Sequence, residues 1–213
     1  MSIATLGLAM VGCNFNVALG PADAMRDAAS ADAMLDAPPP IDAPSTDPFV
    51  GAAVRINIKG PAHTGVDHPG AWAADLGVCP GANGFSVTDS INATDDDALF
   101  QTEAVDAALH CTVGGLPSGT YEVTLLFAEI DRAPACAVGS RVFSIDLEGT
   151  TLVTAFDLVT EGAGCALAGE PGHPVAKVFS IAVTDGVLDV RLTAPAGHQA
   201  VLGALQAVQT SSL

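Results

Sequence analysis

From Tyr121 onward the chain alternates apolar and polar residues with a period of two, the repeat of an extended strand whose successive side chains point to opposite faces. Tyr121, Val123, Leu125 and Phe127 share one face, with Glu122 and Thr124 on the other. In Arg141–Leu147, Phe143, Ile145 and Leu147 alternate with Val142, Ser144 and Asp146. Val175–Thr184 and Val187–Thr193 repeat the pattern through Phe179, Ile181 and Val183 and through Leu188, Val190 and Leu192. Arg141–Leu147 and Thr151–Asp157 read as a hairpin closed at Glu148-Gly149-Thr150, and Asp185-Gly186 is a hairpin turn signal between the next two runs, because Asp-Gly accepts positive φ. Gln199 to Gln209 reads as one closing strand. No amphipathic helix of four turns is present, and Ala104–Leu109 could supply one short turn at most. Several short strands around one core predict an all-β fold, an antiparallel β-sandwich or jelly roll.

The first 49 residues have a different character. Residues 1–12, MSIATLGLAMVG, carry no charge and are too short to span a bilayer as a helix. They end at Met10-Val11-Gly12-Cys13, which resembles a bacterial lipobox and makes Cys13 the expected lipidation site. The usual basic opening is missing, which points to a true start upstream of Met1. The alternative is a short buried apolar segment with an incidental cysteine. Residues 13–49 hold Asp23, Asp27, Asp32, Asp36, Asp42 and Asp47 against Arg26, with Asp-Ala repeats and Pro38-Pro39-Pro40. Such a segment cannot build a core and is expected to be an extended linker. The folded domain is then residues 50–213, large enough to bury about two thirds of its unfolded surface.

The net charge of −17 and the lack of any basic stripe exclude nucleic acid as a partner. Membrane contact is expected through the N-terminal lipid only, with the domain in the cell envelope, on the outer membrane or cell surface, or secreted. Besides Cys13 there are four cysteines, an even count that suggests two disulfides in an exported protein. The start and the end of a hairpin lie side by side. Cys136 precedes the predicted 141–157 hairpin and Cys165 follows it, so Cys136 is expected to pair with Cys165 and Cys79 with Cys111. No CxxC spacing suggests a zinc site, and no metal or cofactor is expected.

A series of motifs in the same order resembles the malectin and malectin-like family. They are Arg55-Ile56-Asn57-Ile58-Lys59-Gly60-Pro61, Trp72-Ala73-Ala74-Asp75, Asp95-Asp96-Asp97 followed by Leu99-Phe100-Gln101-Thr102-Glu103, the stretch Gly119 to Glu129, Gly139-Ser140-Arg141-Val142-Phe143 with Phe156-Asp157, and Val183 to Leu188. The resemblance covers about residues 54–209. It implies a jelly-roll sandwich that binds glucose-containing oligosaccharides without cleaving them, through aromatic side chains and an acidic residue on loops at one edge. Carried over by position, the ligand-binding candidates are Phe85, Val105, Asp131, Arg132 and His198. Val105, Asp131 and Arg132 stand where ligand-binding members have aromatics, Phe85 stands near the expected tyrosine, and His198 lies near the acidic position of the last loop.

Each candidate has a plainer reading. Asp131 and Arg132 can form a polar sugar site or a solvated turn. Phe85 is a stacking platform or a loop anchor. His198 contacts ligand or is merely exposed. Trp72 and Tyr121 are expected in the core. Asp95-Asp96-Asp97 can bind Ca²⁺, but a turn or short-helix cap is expected. Glu103 and Glu129 could be imagined as a glycosidase pair, yet no catalytic motif accompanies them and no catalytic residue is assigned. The expected function is non-catalytic oligosaccharide binding by a monomeric, lipid-anchored module. The alternatives are a structural or protein-interaction sandwich that has lost the sugar site and, more remotely, a glycoside hydrolase.

Overall fold

The computed structural model describes residues 51–132 and 136–213. The lipobox, Cys13 and the 13–49 linker lie outside the described residues.

The described chain is a sandwich of two four-stranded antiparallel sheets. In the first, β1 (Ala53–Asn57), β13 (Ala204–Ser212), β7 (Gly119–Phe127) and β10 (Val175–Val183) lie side by side in that order. In the second the order is β6 (Ala108–Gly114), β11 (Val187–Thr193), β8 (Val142–Leu147) and β9 (Thr150–Asp157). A three-stranded sheet of β12 (Ala200–Leu202), β5 (Thr102–Asp106) and β4 (Asn83–Ser86) and a small hairpin of β2 (His63–Gly65) and β3 (Gly70–Trp72) complete the strands. The helical pieces are a 3-10 turn at Asp97–Leu99 and α1 at Leu158–Glu161.

The alternation seen in the sequence builds the core. Tyr121, Val123, Leu125 and Phe127 face Phe143, Ile145 and Leu147 and Leu188, Val190 and Leu192, all fully buried. Phe127, Phe143 and Phe156 cluster with ring centroids 5.1–5.7 Å apart, within the range of favourable edge and tilted contacts. Tyr121 donates its hydroxyl to the Pro117 carbonyl at 2.7 Å, so this buried ring keeps its polar end satisfied. The run Leu125-Leu126-Phe127-Ala128 breaks the alternation because both faces are covered here. Leu126 and Ala128 enter a second apolar cluster with Trp72, Leu99 and Phe100, supplied by the long excursion between β1 and β5.

One carboxylate fastens that excursion. Asp96, fully buried, accepts the Val66 and His68 backbone N–H groups at 2.7 and 2.8 Å and pairs with His63 Nε2 at 2.8 Å. Burial alone would raise its pKa, but His63 and the two amides outweigh that and hold it below the ordinary value. Asp97 accepts the Ile91 amide at 3.0 Å. The acidic turn is therefore part of the loop framework. Asn92 has a similar role. Its Nδ2 lies 2.8–3.0 Å from the carbonyls of Leu167, Glu170 and Gly172, so the sequon at Asn92-Ala93-Thr94 is a clamp between loops.

Three local readings change. Ala104–Leu109 lies in β5 and β6 rather than a helical turn. The Asp185-Gly186 turn has the expected chemistry, with Gly186 at φ +85° and Asp185 Oδ1 accepting the Val187 amide. It does not close a hairpin, because β10 pairs with β7 while β11 pairs with β6 and β8. The turn carries the chain from one sheet to the other, which the turn residues alone cannot distinguish from a return along the same sheet. Gln199–Gln209 is two strands split at Gly203. There the Gly203 amide donates to Leu126 and its carbonyl accepts from Ile58, and a Cβ would stand 3.0 Å from the Leu99 carbonyl oxygen. By contrast β8 and β9 do form the expected hairpin, closed by Glu148 and Gly149 at φ +51° and +71°.

Cys79 is bonded to Cys111 and Cys136 to Cys165. The first ties the segment before β4 to β6, and the second ties the segment before β8 to the one after α1.

Candidate functional site

Four charged residues, Glu103, Glu129, Asp131 and Arg141, come together where β7 ends and β8 begins. β7 runs into Glu129, and β8 is preceded by Arg141. These two side chains meet across the intervening loop, with Nε to Oε2 at 2.6 Å and Nη2 to Oε1 at 3.1 Å, both residues buried. Glu129 Oε1 also accepts the Asp131 amide at 2.9 Å. Asp131 itself is half-exposed, with Oδ2 4.0 Å from Arg141 Nη2. The sulfurs of Cys136 and Cys165 lie 3.6 and 3.3 Å from the Asp131 carbonyl oxygen, so the disulfide backs this turn.

Glu103 completes the cluster. It is 2 % exposed, and its Oε1 is buried with no hydrogen-bond partner among the described residues. Desolvation pushes its carboxyl well above the usual range, with the nearby Glu129 charge adding to the effect and Arg141 opposing it. Directly across the sheet from Glu103 stands Phe85, and directly across from Val105 stands Asn83, so all four share one sheet face. Phe85 is 36 % exposed, whereas Val105 is 8 % exposed and packs in the main core. His198 brings in the last loop. Its Nδ1 is 3.1 Å from the Ser140 carbonyl, next to Arg141. A carbonyl only accepts, so Nδ1 is the donor and Nε2 of the neutral ring is an acceptor.

The structure thus brings Phe85, Asp131 and His198 to the neighbourhood of one charged cluster and places Val105 beneath it. Arg132 does not join them. Its guanidinium is bound to Asp89 at 3.0 Å and Glu170 at 3.3 Å, in an exposed clasp between loops. Arg141 is the residue that sequence reasoning missed. A signal was present: it is one of only seven basic residues, at the threshold of a strand whose alternate positions are core. Such a cation is buried only with a partner. Glu103 and Glu129 do approach one another, but neither is exposed and Glu129 is held by Arg141, an arrangement unlike two carboxyls flanking an open cleft.

Two grooves of about 280 and 340 Å³ lie apart from this edge, on the outer face of the first sheet, and share Asp67, His68 and Ala176. The aromatic residues beneath them, Phe100 and Trp72, are buried and offer no stacking surface.

The raised pKa of Glu103 leads to a direct expectation. The unfolded chain releases this proton near the ordinary value of 4.5, whereas the folded domain retains it to higher pH. The contribution of Glu103 to stability is therefore intact below that value and declines as pH rises toward the folded pKa, by up to about 1.4 kcal/mol per pH unit. Glu103→Gln should remove this decline. Urea midpoints measured from acid to mildly alkaline pH should fall less steeply for the variant than for the parent. Parallel curves would refute a buried, proton-retaining Glu103.

The malectin domain family model matches residues 52–209. The chain belongs to the malectin family. Over 111 residues it is 34% identical to a probable leucine-rich repeat receptor-like serine/threonine-protein kinase of Arabidopsis thaliana, a match covering 49% of this chain and 10% of that protein. Among solved structures, the malectin fold here is similar to a beta-glucuronidase of Bacteroides uniformis, at TM-score 0.61 and 19% identity, over 74% of this chain and 18% of that one. It is also similar to the ANXUR1 extracellular domain of Arabidopsis thaliana, at TM-score 0.60 and 16% identity, over 75% and 48% of the two chains. This malectin chain thus spans a minor part of each of these relatives, and the structural likenesses concern the fold.

Proposed function

We propose that this malectin domain is a non-catalytic oligosaccharide-binding module, and that the binding edge is formed by Phe85, Asp131, Arg141 and His198 over buried Glu103. One observation supports this reading above the others. A partly exposed phenyl ring stands in direct register with a buried carboxyl that lacks a partner for one oxygen among the described residues, beside a built charged cluster. A sugar ring offers both things such a surface needs, a C–H face for the ring and hydroxyls for the polar groups. Glucose-containing oligosaccharides are the ligands the family resemblance implies. The module is monomeric and sits in the cell envelope, tethered through a lipid on Cys13, and the two disulfides accord with an oxidising compartment outside the cytoplasm. The mass of the peptide beginning at Cys13 tests the tether, since an unmodified cysteine there excludes it.

Calorimetric titration with gluco-oligosaccharides tests the binding edge. Phe85→Ala should weaken binding at least about tenfold, the loss of roughly 1.4 kcal/mol expected for a stacking contact, with little change in melting temperature. Arg132→Ala should leave affinity within about twofold, because its guanidinium serves an exposed clasp. A well-folded protein that binds no glycan on a broad array supports the second reading, a structural or protein-interaction sandwich. That reading is favoured by the burial of Val105 and the engagement of Arg132 at positions where aromatics stand in the family. Turnover of a chromogenic glycoside would overturn both.

A further inference from the structure

The donors and acceptors of this edge are unequal in number. Arg141 directs two of its nitrogens at Glu129, at 2.6 and 3.1 Å, and only loosely neutralises Asp131 at 4.0 Å. Arg132 is engaged with Asp89 and Glu170. His198 uses Nδ1 on the Ser140 carbonyl. Behind them Glu103 holds an oxygen without a partner among the described residues. Three carboxyl groups, those of Glu103, Glu129 and Asp131, thus share one guanidinium, and Asp131 presents its carboxylate to solvent with 53% of its side chain exposed.

An edge rich in acceptors and short of donors discriminates among sugars. A protonated amine brings three donors and no acceptor, together with a positive charge. A uronate brings further acceptors and a negative charge, so it would meet carboxylates without a cation to receive it. The net charge of −17 on the whole chain acts in the same direction at longer range.

We propose that the edge selects glycans carrying protonated amino sugars over uronic-acid glycans, with the half-exposed Asp131 carboxylate receiving the ammonium group. This inference rests on the reading of the edge as a glycan site. Asp131 is the specificity-determining residue in this account, and Glu103, which is buried, does not reach the ligand.

The test uses four β-linked glucose-type tetramers of equal length: neutral, amine-bearing, N-acetylated and uronate-bearing. Each is titrated calorimetrically into the full chain at mildly acid pH, at low and high salt. The amine-bearing tetramer should bind about threefold to fivefold tighter than its N-acetylated counterpart, the upper range for a half-exposed ion pair. The gap should shrink at high salt, and the uronate should bind weakest. In Asp131→Asn the ratio of amine to N-acetyl affinity should fall to near one, with the thermal transition confirming a folded domain. A uronate that binds as well as the amine, or a preference that survives in Asp131→Asn, overturns the proposal. If the neutral tetramer binds and the amine confers no advantage, the charge selection falls while the glycan site stands. If none of the four binds, both fall.

Discussion

Arg141→Met should lower the stability of the domain by about 3–5 kcal/mol, the usual cost of removing one partner of a buried ion pair. For a domain of this size that is a drop of roughly 10 °C or more in melting temperature. The reason is what remains. Glu129 is 1 % exposed and would keep the Asp131 amide as its hydrogen-bond partner while losing both guanidinium nitrogens. Glu103, already short of a partner, would lose the neighbouring positive charge that opposes its desolvation. Replacing Glu129 and Arg141 together with Leu and Met should recover most of the loss, since two apolar groups of similar shape leave no unpaired charge. A single variant as stable as the parent would mean that the pair is not buried as described.

Asp96→Ala should be comparably damaging, by about 3–5 kcal/mol, through a different route. The carboxylate receives three donors at 2.7–2.8 Å, and the substitution leaves the Val66 and His68 amides without acceptors. Each stranded buried donor costs about 1–3 kcal/mol, and charge-assisted bonds are stronger than neutral ones. The loss should be local first. Hydrogen exchange at Val66 and His68 should accelerate more than exchange at Val123 or Val190 in the main core. In the parent, Asp96 titrates below its ordinary 3.8, so its contribution is fully present above that value and disappears as pH falls through the folded pKa. This is opposite in sign to Glu103, whose contribution declines above its ordinary value. Asp96→Ala should flatten the acid side of the stability profile, and Glu103→Gln the side above it. Unchanged exchange at Val66 and His68 would show that Asp96 does not hold the loop.

Both effects depend on residues that look ordinary in the chain. Asp96 is the middle of three aspartates, and a short-helix cap was a sensible expectation for it. It does precede the 3-10 turn, but its side chain makes no capping bond there. It reaches back 28 and 30 residues to the loop after β2 instead. Phe85, Asp131 and His198 were legible as an edge cluster only through the family's order of motifs. Arg132 was carried over by the same positional logic and lies elsewhere, because Asp89 and Glu170 draw it into their own clasp. Val105 is buried in the main core and offers no stacking surface at the edge.

The alternation of apolar side chains was enough to establish strands, an inward face and an antiparallel all-β core, because it depends only on how consecutive residues point from an extended backbone. It identified Tyr121, Val123, Leu125 and Phe127 as core, and the Glu148-Gly149 hairpin, without any knowledge of neighbours. Which sheet the chain enters after Asp185-Gly186, and which carboxylate meets which cation, belonged to the tertiary structure. Those outcomes are contests between groups far apart in sequence. Packing and desolvation decide them only after the sheets have closed, when Glu129 and Arg141 must find each other and Glu103 is buried beside them.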